Sequence, residues 1–327
     1  MKNIYLILSV FAVIFIACET DFDVNATWEE VVVVYGLLDT GEGKELQQIK
    51  ISKAFLGEMD ALQMAQYADS INFDPNDLDV KIVRIRNNGN TDTISLVDST
   101  IIRESGIFNE TIIIYKFVND DFLKSDSEYE LVIKNLISGN KVTSNKTRVI
   151  GDFSFLNFNS AYPFGFYNSS LADSLKFKSK TIEWQDVYEG EIYQLDVRFH
   201  YKENGISRSL VWSQPLVSYD GRSMSSKLEG AKFFNFLRNY IIKDNTNTIS
   251  RSFENLDLVM TVGTADLNTY IKVNEPITGI VQERPHFTNI NNGIGIFSSR
   301  YTYTEYNIGL SDETKQFLIE ELDRNFQ

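Results

Sequence analysis

Cysteine and histidine are almost absent from this chain of 327 residues: it has one cysteine, Cys18, and two histidines, His200 and His286. A disulfide within the chain is excluded, and so is a zinc site built on cysteine ligands. Strand alternation puts His200 on the face of Arg198, among polar side chains, with no second histidine near it in sequence. A Ser-His-Asp triad would have to use one of these two histidines, and no G-x-S-x-G elbow accompanies them. Gly41-Glu42-Gly43-Lys44 is similar to a P-loop, but lacks the first glycine at the right spacing and the Ser or Thr after the lysine. Gly293-Ile294-Gly295 has no third glycine and does not open a helix, so it is not a dinucleotide fingerprint. Nothing in these patterns calls for a cofactor.

Positive charge is also scarce. Lys and Arg number 31 against 45 Asp and Glu, a formal net charge of −14. Such a surface repels phosphate backbones and anionic head groups, so nucleic acid is not an expected partner. Acidic side chains raise two further possibilities. Asp74, Asn76, Asp77 and Asp79 could offer oxygens to calcium, but the EF-hand positions for Gly and Glu hold Asp79 and Ile85. Glu183 and Asp186 flank Trp184 as a glycosidase carboxylate pair would, yet with so many acids such pairs are unavoidable and spacing selects none. No catalytic residue and no metal ligand is assigned.

What is present begins at the N-terminus. Lys2 is followed by the apolar run Ile4 to Ile16, then Ala17 and Cys18. This is the anatomy of a secretory signal, and the run is shorter than the ~20 residues of a membrane-spanning helix. Phe15-Ile16-Ala17-Cys18 resembles a lipobox, with the small Ala17 before the chain's sole cysteine and Phe15 where Leu is usual. The resemblance implies cleavage after residue 17, acylation of Cys18, and firm anchoring by several acyl chains on one residue. Glu19, Asp21 and Asp23 then make residues 18–27 an acidic tether.

Aromatic residues, at 13%, lean the body toward strands. Val31–Leu38 is a continuous apolar run expected to be buried on both faces. Met59–Tyr67 reads as a short helix, and Asp74-Pro75-Asn76-Asp77 as a turn. Strands follow at Val80–Arg86, Thr93–Val97, Thr111–Val118, near Tyr129–Lys134 and at Val142–Val149, with a hairpin turn at Asn87-Asn88-Gly89-Asn90. About seven short strands with regular turns is the count of an immunoglobulin-like sandwich, assigned to residues 28–150, with Tyr129 as its tyrosine-corner residue.

Residues 151–175 form an aromatic-rich connector. Phe153, Phe155, Phe158, Tyr162, Phe164, Phe166 and Tyr167 crowd around Pro163 and Gly165. They suit either a ligand or interface platform or packing at the join of two domains. Residues 176–327 read as a β-rich domain with helices. Tyr193, Leu195, Val197, Phe199 and Tyr201 share one strand face. The Trp184 strand followed by Tyr-x-Leu-x-Val resembles the start of a fibronectin type III sandwich. Leu228, Ala231, Phe234, Leu237 and Ile241 recur at helical spacing behind Ser226 as cap, Asp266–Val273 reads as a second helix, Gly293–Tyr303 as a strand, and Ser311 caps a terminal helix expected to run to about Asn325.

Four features together resemble a family of uncharacterised Bacteroidetes outer-membrane lipoproteins, a domain of unknown function. They are Cys18, the strand ending Tyr35-Gly36-Leu37-Leu38, the segment Trp184–Tyr201, and Asn291-Asn292-Gly293-Ile294-Gly295-Ile296-Phe297-Ser298. The resemblance implies a protein anchored in the outer membrane, exposed at the cell surface, and working beside a TonB-dependent transporter. The acidic stretch after Cys18 resembles export signals of that group. Asp69-Ser70-Ile71, Asp92-Thr93-Ile94, Asp98-Ser99-Thr100 and Asp173-Ser174-Leu175 resemble its O-glycosylation acceptors. The expectation is a mainly β, non-enzymatic surface lipoprotein presenting a binding or accessory surface. The alternatives are a cell-surface hydrolase acting on glycans and a structural or adhesive protein.

Overall fold

The computed structural model describes residues 31–54, 71–102, 111–219, 221, 223–246, 248–276 and 285–327. The signal segment, Cys18, the acidic tether and the helix expected over Met59–Tyr67 lie outside these residues. What is described is mainly β, in sheets packed face to face.

The first half supplies β1 (Val31–Asp39), β2 (Leu46–Ala54), β3 (Leu78–Arg86), β4 (Thr91–Ser95), β5 (Val97–Ile102), β6 (Thr111–Val118), β7 (Ser127–Asn135), β8 (Lys141–Ser144) and β9 (Thr147–Arg148). β1-β2-β6-β5 lie side by side in one sheet and β8-β7-β3-β4 in another. Period-2 alternation turns one side chain in two inward. Val32, Val34 and Leu38 of β1 thereby meet Val80 and Ile82 of β3 and Leu131 and Ile133 of β7 in one core. β1 is not buried on both faces as its unbroken apolar run suggested: Tyr35 points outward and is 45% exposed. Tyr129, fully buried, closes the corner before β7 as its position in sequence suggested. Its hydroxyl donates toward Phe122 O and Lys124 O, each at 3.1 Å, and accepts from Lys124 N–H.

The second half supplies β10 (Phe155–Leu156), β11 (Ser179–Trp184), β12 (Ile192–Glu203), β13 (Ile206–Ser213), β14 (Val217–Ser218), β15 (Met224–Glu229), helix α1 (Gly230–Tyr240), β16 (Arg251–Gly263), α2 (Ala265–Asn274), β17 (Ile290–Asn291), β18 (Gly293–Ile308) and α3 (Asp312–Glu320). The long strands β13-β12-β16-β18 form a sheet whose inner face carries Tyr193, Leu195, Val197 and Phe199. The small sheet β10-β11-β15 and helices α1 and α3 cover that face. Helix α1 begins later than expected. Ser226 is buried within β15, and the cap residue is Glu229, with no side-chain bond to the helix. Ser311 does cap α3, accepting Thr314 N–H, but the helix stops at Glu320 because the chain beyond it returns to pair with Arg251.

The boundary placed between residues 28–150 and 176–327 does not separate two sheets. β1 pairs in parallel with β18, so the order runs β13-β12-β16-β18-β1-β2-β6-β5 through nine strands, β14 included. Val31–Gln327 is one compact unit with two cores. Local patterning reports where strands are, while the partner of β1 lies some 260 residues away in sequence. Backbone contact sets the terms of this junction. Gly295 has φ +112°, and a Cβ there would sit 2.0 Å from Val34 O. Asp39, buried at the end of β1, accepts from Arg300 Nε (2.9 Å), Thr302 Oγ1 (2.8 Å), Thr302 N–H (3.2 Å) and Gly41 N–H (3.0 Å). Gln47 returns two bonds to the Asp39 backbone, at 2.7 and 2.8 Å. Buried Asn289 copies a strand, bonding Phe297 N–H and C=O at 2.9 and 2.8 Å.

Gly295→Ala is expected to cost about 3 kcal/mol or more, because both the positive φ and the missing space oppose a methyl group. Denaturant unfolding measures this, and a loss below about 0.5 kcal/mol would show that the junction tolerates a side chain.

Candidate functional site

Three clefts among the described residues are large enough to consider. One of about 490 Å³ is lined by Arg84, Arg86, Lys124, Asp121 and Asp126. Its cations are already paired. Asp92 lies 2.6 Å from both Arg84 and Arg86, Lys124 pairs with Asp121, and the Arg84 hydrogen bond holds the Asp92 carboxyl below the usual range. Another, of about 450 Å³, is lined by Lys53, Asn72, Phe73, Asp74, Asp77 and Thr111. Asp74, one of the proposed calcium ligands, uses its Oδ1 to cap the turn after it, accepting from Asn76 N–H and Nδ2 at 2.9 Å. Asp79 pairs with Lys81. Burial, with help from the carboxylates of Asp98, Asp74 and Asp77, pushes the Tyr115 phenol up to about 12.

The third cleft, about 340 Å³, differs in having an apolar floor. Phe253 from β16, Leu318 and Ile319 from α3, and Phe326 from the C-terminal tail line it, with Ser252, Glu254, Lys315 and Gln327 at the rim. Each wall has a local cause. Asp312 and Glu313 sit at the positive end of α3, which buries Thr314, Phe317 and Leu318 and leaves Ile319 half out. The Thr314 hydroxyl accepts Phe166 N–H at 2.9 Å and so moors the helix to the aromatic segment. The tail is held by Arg251, a guanidinium only 1% exposed. It bonds Glu203 through Nε (2.9 Å) and Nη2 (2.8 Å) and donates from Nη1 to Arg324 O (2.8 Å). Its backbone accepts Gln327 N–H and donates to Asn325 O, which seats Phe326 beside Phe253. A concave, mostly apolar site with a few charged groups at its mouth is the usual form of a small-ligand pocket.

The aromatic segment is not a ligand platform. Phe153, Phe164 and Phe166 are buried, and Phe155, Phe158 and Tyr167 pack against the same core. Only Tyr162, at 71%, stands in solvent. The rings pass edge to face from Phe153 to Phe155 (5.1 Å), then Phe158 to Phe164 (6.2 Å) and Phe164 to Phe166 (5.9 Å), and Phe166 stacks on Phe233 of α1 at 4.5 Å. These residues fill the core of the second half instead of bridging two domains, because β1–β18 already joins the halves. The adhesive reading loses its main support.

The remaining sequence candidates do not converge. His200 Nε2 lies 2.8 Å from Asp257 Oδ2, and Asp257 Oδ1 accepts Asn307 N–H at 3.0 Å. The pair sits where the registers of β12 with β16 and of β16 with β18 both shift, so it secures two irregular strands. His286 is exposed, as are Glu183 and Asp186. No three His, Cys, Asp or Glu side chains among the described residues could together hold a metal ion. Of the glycosylation patterns, Thr93 and Ser174 are exposed, while Ser99 is half-buried and accepts from Lys116 Nζ at 3.0 Å. The cleft beside α3 escaped sequence reasoning because its walls come from three separate stretches. The apolar Phe253 and Phe326 were the available signal.

No protein-family model matches the chain, and neither does any curated protein.

Two substitutions separate core from platform. Phe166→Ala is expected to lose about 3–5 kcal/mol of stability, whereas Tyr162→Ala stays within about 0.5 kcal/mol. Equal effects in a denaturant titration would contradict the core assignment.

Proposed function

We propose that this chain is a non-enzymatic lipoprotein of the outer membrane, exported by residues 1–17 and tethered through Cys18, whose compact β body presents a binding surface at the cell exterior beside a TonB-dependent transporter. Support for the anchor is the apolar run ending in Ala17 and the sole cysteine. Support for the partner is the family resemblance of the strand motifs. The observation that carries the binding role is the apolar cleft between β16, α3 and the tail.

At about 340 Å³ the cleft suits one small ligand with an apolar body. Its charged rim serves orientation. Glu254 is engaged by Lys202 at 3.3 Å and Lys315 by Asp312 at 3.6 Å, so each can turn toward a ligand at the cost of a weak surface pair.

The first half is read as immunoglobulin-like. Its order β1-β2-β6-β5 against β4-β3-β7-β8 follows the A-B-E-D and C′-C-F-G pattern, and Tyr129 stands at the start of the F-equivalent strand. The second half is read as fibronectin-like: its order β10-β11-β15 against β13-β12-β16-β18 follows an A-B-E and C′-C-F-G pattern, with the Trp184 strand and β12 in different sheets as successive B and C strands are.

Affinity capture of the wild-type protein from native outer membranes is expected to recover a TonB-dependent transporter in near-equal amounts. The Cys18→Ser variant is expected in the soluble fraction without it. A variant that stays in the membrane refutes the anchor, and a wild type captured alone refutes the transporter role. For the cleft, Ile319→Arg changes a half-exposed side chain and should leave the fold intact. It is expected to weaken binding of an anilinonaphthalene fluorophore about tenfold, or ~1.4 kcal/mol. Unchanged binding removes the cleft from consideration.

A further inference from the structure

Helix α1 buries Gly230, Phe233, Phe234 and Leu237, yet it carries two more aromatic residues away from that stripe. Phe236 and Tyr240 stand one turn apart on its flank, with ring centroids 4.8 Å apart and planes 39° from parallel. Trp212, on the edge strand β13, continues the row. Its ring lies 6.2 Å from Phe236 at an interplanar angle of 27°. Trp212 and Phe236 are half-buried against the core, Trp212 with its ring 5.7 Å from that of Phe233, and Tyr240 is 65% exposed, so the row runs from the core margin at the sheet edge out to Tyr240 in solvent. Beside it, Asn235 and Asn239 form an exposed column on the same helix, also one turn apart. Neither amide makes a side-chain hydrogen bond among the described residues.

We propose that Trp212, Phe236 and Tyr240, with Asn235 and Asn239, form a docking platform for a neutral glycan. A pyranose ring has an apolar face of C–H groups that stacks on an aromatic ring, and hydroxyls around its rim that pair with an amide able both to donate and to accept. Both kinds of group stand side by side here. Charge decides against the other ligands that stack. Nucleic-acid bases would bring phosphates to a chain of net charge −14. The nearest cations on the helix are already engaged, Lys232 with Glu229 at 2.9 Å and Arg238 with Glu321 O at 3.2 Å. A neutral, hydroxylated chain meets neither obstacle. This platform is separate from the cleft beside α3 and does not depend on it.

Isothermal titration of the purified protein with α-1,4- and β-1,4-linked glucose hexasaccharides tests the proposal, with tryptophan emission as a second readout. Binding of at least one in the millimolar range or tighter is expected, together with a change in emission that Trp212→Phe abolishes. Tyr240→Ala is expected to weaken binding at least tenfold with an unchanged melting temperature, as its exposure allows, and Asn239→Ala to weaken it several-fold. Absence of binding by both hexasaccharides overturns the proposal. So does binding that survives Tyr240→Ala undiminished.

Discussion

The backbone of β1 comes so close to that of β18 that no side chain fits between Val34 O and position 295. That contact is the constraint on which the rest of the molecule depends. Parallel pairing brings the first described strand against the last and makes one sheet of two halves that would otherwise hold separate cores. Asp39 then locks the end of the pair by accepting from four donors, three on β18 and one in the turn after β1. A buried carboxylate is costly unless so satisfied. Here its desolvation is offset by Arg300 and by hydrogen bonds to the charged form, worth about 1.5–3 kcal/mol each before non-additivity. The same approach of chains explains the glycines after Asn292: a Cβ at Gly293 or Gly295 would meet the backbone oxygen of Val32 or Val34.

With the halves joined through the sheet, the aromatic segment between them is free to fill a core. Its rings lead from Phe153 to Phe166 and on to Phe233, and Thr314 fastens the terminal helix to the same stretch. Arg251 performs the corresponding service for the tail, which reaches its place through a buried guanidinium and a single bridge at Phe326. Both candidate ligand surfaces lie at the margins of this second core, where helices α1 and α3 leave side chains uncovered: an apolar hollow in one case, a row of tilted aromatic rings in the other. Binding surfaces carried on helices braced against a long sheet are held more closely than loops alone would hold them.

Much of the architecture was legible in residue order. Alternation located most strands of the first half, though not β5, which begins where the expected strand Thr93–Val97 ends and lies in the other sheet. Tyr129 marked the corner of that half in the sequence itself, because a buried phenol needs a backbone partner and strand entry supplies one. Ser311 announced the start of α3 for a similar local reason. The errors came wherever a distant partner overrode local preference. Ser226 is a good cap, but its strand pairs with β11 and draws it into the sheet. The last helix ends early because Arg251 recruits the tail. The seven aromatics between residues 153 and 167 suited either a surface platform or packing at a domain join, because composition cannot report what covers a ring.

The sequence by itself determined the mainly β character, the net negative charge, and the sole cysteine behind an apolar leader-like run, since each rests on composition or on neighbours within a few residues. Tertiary structure alone decided that the two halves share one sheet, that the aromatics from Phe153 to Phe166 are core while Tyr162 and Tyr240 face solvent, and that Phe253, Ile319 and Phe326 line one hollow. These depend on contacts between residues tens to hundreds of positions apart, and the free energy of such contacts is set by close packing and by which groups lose their water, neither of which is written in any local stretch of chain.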